Sequence, residues 1–123
     1  MMFLRFVVGG DDEDHRQLTG LVTEARLLRD RGALTAHEEE LLQSTYDWFN
    51  QHLPCPPFES AGWSREAVSW FKDSALAPIQ RMRALSALLE SHDLLVRVLR
   101  SKNPGKVLYE DEYQVVVQEW KQL

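Results

Sequence analysis

One cysteine is all that the 123 residues contain, so Cys55 has no partner in the chain for a disulfide and cannot build a thiolate metal cluster. Proline and glycine are sparse at five and six, which excludes collagen-like and Pro/Gly-rich disordered chains. No apolar run approaches the ~18 residues that a membrane-spanning helix needs. The stretch Met1–Val8 is too short for a secretory apolar segment, is interrupted by Arg5 and leads into acids rather than a small-residue cleavage site. These absences make a cytoplasmic protein with no membrane contact the expectation.

A basic excess is missing too. Residues 1–53 carry five Lys/Arg against ten Asp/Glu, and residues 54–123 carry nine of each, so the net charge of −5 arises in the first part alone. A chain that grips a phosphate backbone needs a basic stripe, and the expectation is no nucleic-acid partner. Metal-binding spacing is absent: His15, His37, His52 and His92 form no H-x-x-x-H, and there is no C-x-x-C or calcium-binding loop. Asp11, Asp12 and Asp14 are better read as a solvated helix start than as ligands, and we expect no metal and no cofactor. No G-x-S-x-G, phosphate-binding loop or G-x-G-x-x-G occurs.

What is present is the composition of a folded domain, 44% hydrophobic and 27% charged, in a length that suits one domain over residues 1–123. Met2–Val8 is rich in β-branched and aromatic residues and ends at Gly9-Gly10, which predicts a short N-terminal strand and a turn. Asp11-Asp12-Glu13-Asp14 suits the positive end of a helix dipole. Leu18, Leu21, Val22, Ala25 and Leu28 form one helical stripe, closed by Gly32. Thr35 and Glu38 make a capping-box pattern for a second helix, which runs through Leu41, Leu42, Thr45, Trp48, Phe49 and His52 to the stop at Leu53-Pro54. The short connection predicts an antiparallel helical hairpin.

Residues 54–63 hold three prolines and Gly62 and read as an irregular linker pinned by Phe58 and Trp63. Ser64 then offers a cap for a third helix, with Phe71, Ala75, Ile79, Met82, Leu85 and Leu89 at spacings of three and four; Pro78 predicts a kink near Ser74. From Leu94 the hydrophobic period changes to two. Asn103-Pro104-Gly105 and Asp111-Glu112 supply turns, so residues 94–120 read as a three-stranded antiparallel meander, with the N-terminal strand as a fourth member of the same sheet. The expected fold class is α+β in the order β-α-α-α-β-β-β, the sheet packed on the helical layer.

Trp70-Phe71-Lys72-Asp73, Pro104-Gly105 with Val107, the run Tyr109-Glu110-Asp111-Glu112-Tyr113-Gln114-Val115-Val116, Phe3–Val8 and the Trp48-Phe49 pair together resemble a family of small uncharacterised bacterial α+β proteins with no assigned function. The resemblance spans most of the chain. It implies a bacterial origin and one shared architecture, and it transfers no substrate, cofactor or catalytic residue.

Function must therefore come from candidate surfaces. Cys55 lies between prolines beside a helix C-terminus, where the dipole disfavours a thiolate, and reads as a small hydrophobe. His52 on the apolar side of the second helix reads as a helix-end residue that bonds free carbonyls. The aromatics exceed what narrow helix stripes use, and half-exposed Trp or Tyr near Arg is typical of interfaces. Trp63, Trp70, Tyr109, Tyr113, Trp120 and Arg97 are the expected interaction surface of a non-catalytic adaptor, a homodimer or binder of an unidentified protein partner, with an exposed sheet edge as a further docking feature. One alternative is a small-molecule site or enzyme pocket between helices and sheet, lined by Trp63, Trp70, Tyr109 and Tyr113 with His52 or Glu110 as its polar group. A second is an acidic mimic of nucleic acid, using residues 11–14, 24, 30, 38–40 and 47.

Overall fold

The computed structural model describes residues 1–9, 19–58, 60–64 and 66–120. In chain order the elements are β1 (Phe3–Val8), β2 (Thr19–Gly20), α1 (Leu21–Asp30), α2 (Ala36–His52), β3 (Val68–Lys72), α3 (Leu76–Ser91), β4 (Val96–Ser101), β5 (Lys106–Glu110) and β6 (Gln114–Gln118). Among the described residues three helices and an antiparallel sheet make the class α+β. The expected helix start at Asp11–Asp14 and the stripe member Leu18 lie outside the described residues, but α1 begins later than expected: Thr19–Gly20 pairs with β1 as a strand and Gly20 is the N-cap.

Local signals decide the first two helices. α1 buries Leu21, Ala25 and Leu28. It ends where Gly32 takes a φ of 71°, which lets the Ala33 N–H reach back to the Leu28 carbonyl at 2.9 Å. α2 begins on the full capping box: the Glu38 N–H donates to Thr35 Oγ1 at 3.2 Å and the Thr35 N–H donates to Glu38 Oε1 at 3.0 Å. The same Glu38 meets His92 Nε2 at 2.9 Å, which ties the start of α2 to the end of α3.

Two expectations are corrected. No helix starts at Ser64: its hydroxyl accepts from the Glu66 N–H at 3.1 Å in a local turn, and Val68–Lys72 is a strand. Val-Ser-Trp-Phe-Lys alternates its faces, and its β-branched and aromatic content suits a pleated surface. Phe71 still packs in the same cluster as Ala75, Ile79, Met82, Leu85 and Leu89, so the apparent helical stripe joins a strand residue to helical ones. Pro78 consequently falls in the first turn of α3, after the Ala75 cap. Amides there have no intrahelical acceptor, and the first full-turn bond runs from the Ile79 N–H to the Ala75 carbonyl at 3.2 Å. Pro78 starts the helix rather than kinking it.

The meander is also broken. β4 pairs with β1 over its whole length, from Phe3↔Ser101 to Val8↔Val96, while β5 and β6 remain a hairpin. The other edge of β1 is shared, Val7 and Val8 pairing with β2 and Phe3 and Leu4 with β3; β3 then pairs with β6. The N-terminal strand is thus central. The reason is burial: Leu4, Phe6 and Val8 face the helices in the main core, and Val7 on the opposite face is fully buried. A strand apolar on both faces needs neighbours on both edges.

The opposite face carries its own core of Trp70, Val115 and Val117, joined by Phe3, Val68 and Leu99. Curling accounts for it. β4 and β5 stand at opposite edges of the sheet order, yet residues 102–105 alone connect them, a reach of about 17 Å. The sheet therefore bends round its inner face, where Arg5 on β1 meets Glu119 beyond β6 at 3.2 Å and Lys72 pairs with Glu110.

Candidate interaction surface

The residues singled out in the sequence do not converge. Trp70 is 6% exposed, and its indole N–H is buried without a hydrogen-bond partner among the described residues; it is a core residue of the inner face, not part of a surface. Tyr113 packs against the main core. Arg97 lies on the inner side of β4, opposite Val7, and Trp120 is exposed beyond the end of β6. Only Trp63 and Tyr109 meet, with ring centroids 6.3 Å apart, and Phe58 adds an edge-on contact to Trp63 at 5.6 Å. That trio pins the proline-rich loop to the hairpin.

The expected pocket between layers has no such lining. The layers meet through the main cluster, and a groove of about 190 Å³ between them is lined by Phe6, Leu21, Phe71 and Met82 and by none of the residues expected there. His52 is exposed at the end of α2, stacked on Trp48 at 4.7 Å, with Nδ1 3.0 Å from the Trp48 carbonyl. Glu110 sits at the rim of the inner face with Lys72. Three of the acids of α1 and α2 are engaged: Asp30 with Arg29, Glu38 with His92 at the end of α3, and Asp47 with Gln43. The acids of residues 11–14 lie outside the described residues.

Shifted ionisable groups are taken up by structural contacts. Asp111 accepts from the Tyr113 N–H at 2.8 Å, the Gln114 N–H at 3.1 Å, the Tyr109 hydroxyl at 2.8 Å and Gln114 Nε2 at 3.1 Å. Burial alone pushes its carboxyl up, and these hydrogen bonds outweigh it and hold the group below the ordinary carboxylate range. The Tyr109 hydroxyl is raised chiefly by the same bond and secondarily by burial. Buried Gln114 extends the network, donating to the Pro54 carbonyl at 2.9 Å and accepting from Ser69 Oγ at 3.1 Å. Glu38 is lowered first by the Thr35 N–H; burial, the next effect, pushes it up, and His92 and the Thr35 hydroxyl bring it down further. Burial lowers Arg5, with Glu119 opposing the shift. Of these groups, Arg5 borders a groove that it shares with Phe6, Leu21, Phe71 and Met82; the others are engaged by the partners just named. Among the described residues no group of three or more His, Cys, Asp or Glu is placed to hold a metal ion, and no helix is long and apolar enough to cross a membrane.

The sheet edges are more informative. β5 is blunted by an irregularity between Val107 and Tyr109 and by flanking Lys106 and Glu110, the usual protection of an edge. β4 has neither bulge nor proline: its six residues keep an unbroken register with β1, and among the described residues no strand pairs with its outer side. Beside it on the helix side runs a groove of about 260 Å³ with Phe6, Ala87, Val96 and Val98 on its walls and Arg83 and Glu90 on its rim. The Arg83 guanidinium lies 6.0 Å over the Phe6 ring. Leu95, just before the strand, is 58% exposed. Backbone donors and acceptors beside alternating apolar pockets are the elements of strand addition.

Val96, Val98, Glu90 and Arg100 were not marked by sequence reasoning. The alternation of Val96 and Val98 with Arg97 and Leu99 is visible in the sequence; that this strand would occupy an edge is not. No protein-family model, curated protein or solved structure matches this chain, so the functional reading rests on geometry.

Proposed function

We propose that this chain is a non-catalytic protein-interaction module that binds an extended protein segment by strand addition to β4. The observation that carries the reading is the regular edge of β4, unpaired among the described residues, beside the α3–β4 groove. Main-chain hydrogen bonds to the edge supply affinity, and alternate side chains of the added segment enter the groove past Val96 and Val98. The family resemblance to small bacterial α+β proteins is consistent with this role and adds no activity to it.

A random-peptide display selection on the folded protein tests the reading. Binders should alternate apolar with polar residues, and their binding should slow amide hydrogen exchange in residues 95–101. Binders that protect another segment, or an exhaustive selection that yields none, would overturn it.

A further inference from the structure

The proposal of strand addition leaves the identity of the added strand open, and β4 itself meets the requirements. We infer that the partner is a second copy of this chain, its β4 antiparallel to the first about a twofold axis at Val98, so that two sheets join into one. The inference rests on the strand-addition reading.

Geometry limits the registers. A twofold axis perpendicular to the sheet brings like face to like face, so helix-side residues Val96, Val98 and Arg100 can oppose only one another, and inner-side Arg97, Leu99 and Ser101 likewise. Centring the axis on Arg97 or on Arg100 sets two guanidinium groups directly opposite each other, which is unfavourable. Centring on Leu99 opposes a side chain already engaged with the inner core and sets Arg100 against Val98. Centring on Val98 pairs Val98 with its copy, Leu99 with Arg97, and Arg100 with Val96.

The last pair supplies charge complementarity. Val96 and Glu90 line the same groove, so the incoming Arg100 of the partner copy arrives beside the Glu90 carboxylate, and the twofold repeats the contact. Arg100 and Glu90 are both exposed in the monomer. Their charges would otherwise mark β4 as an edge defended by arginine; in this register they become matched ends of one interface, with the four valines contiguous between them.

The test is sedimentation velocity of the full chain and its charge variants, with circular dichroism confirming that each is folded. The wild type should be a reversible dimer. Glu90→Arg and Arg100→Glu should each weaken it by roughly tenfold or more, since each variant replaces two attractive pairs with two repulsive ones. Combining the two changes should restore dimerisation. A second measurement asks for register directly: in a Cys55→Ser background, Val98→Cys should form a disulfide-linked dimer under mild oxidation, and Leu99→Cys should not. A dimer indifferent to both charge reversals, a double variant no better than the singles, or linkage through Leu99→Cys instead would overturn the register. A wild type monomeric up to about 1 mM (binding weaker than ~4 kcal/mol) would overturn the second copy as partner, while the peptide selection would still decide independently whether β4 accepts a strand.

Discussion

Gln114 is the residue on which most of the hairpin end depends. Its side chain is 3% exposed and links three segments through Pro54, Ser69 and Asp111. A buried amide that satisfies partners from separate segments costs more to remove than an average hydrogen bond, because the Pro54 carbonyl and the Ser69 hydroxyl lose their bonding partner. Gln114→Ala should destabilise the fold by about 2–3 kcal/mol, measured by urea denaturation, and should loosen the loop of residues 54–58 in hydrogen exchange. Trp70 carries the opposite lesson. Its buried, unpartnered indole N–H is tolerated because the ring fills the inner core against Val115 and Val117, an area gain that exceeds the cost of one unmade hydrogen bond. Nothing in the one-dimensional pattern separates such a tryptophan from a surface anchor.

At the scale of elements, the chain was most legible where capping chemistry is local. Thr35 and Glu38 form both bonds of the capping box, and Gly32 closes α1 with a positive φ, as the residue types predict. Thr35→Ala should therefore cost about 1 kcal/mol, seen as a lower urea midpoint, whereas the loss on Glu38→Ala, which removes the carboxylate that accepts from the Thr35 N–H, should be larger near neutral pH than in acid. The sign follows from Glu38: its folded-state pKa is depressed, so its contribution is present above the unfolded value of about 4.3 and disappears as pH falls through the folded value. Legibility failed at residues 64–91, where two elements share one burial direction. Phe71 on a strand and Ala75 in the next turn sit four apart and enter the same core; spacing alone cannot show that the chain straightens between them. Once β3 is recognised, Pro78 needs no kink, since it lies where a helix has an amide to spare.

For the whole molecule, the central position of β1 is decisive. It joins β4 to the rest of the sheet and contributes to the helix-side core through Leu4, Phe6 and Val8 and to the inner core through Phe3. Neither core can open without loss of β1 pairing, so unfolding should be one cooperative event. Far-ultraviolet circular dichroism, which follows the helices, and the fluorescence of Trp70 in a variant whose Trp48, Trp63 and Trp120 are replaced by Phe should give coincident denaturant midpoints; separated transitions would show that the two faces fold independently.

From residue order alone follow the α+β class, the N-terminal strand, the body of the first helix with its Gly32 stop, the second helix with its capping box, and the β5–β6 hairpin, because each arises from side-chain period, turn residues and caps within a few positions of one another. Tertiary structure alone decided that β4 leaves its sequence neighbours for β1, that the sheet curls to bury Trp70, and that Val96–Ser101 stands at an edge of the sheet. The physical reason is that any two strands of matching alternation can pair antiparallel. The choice among them is made by the burial of β1 on both faces, a quantity that belongs to the assembled layers and to no single segment.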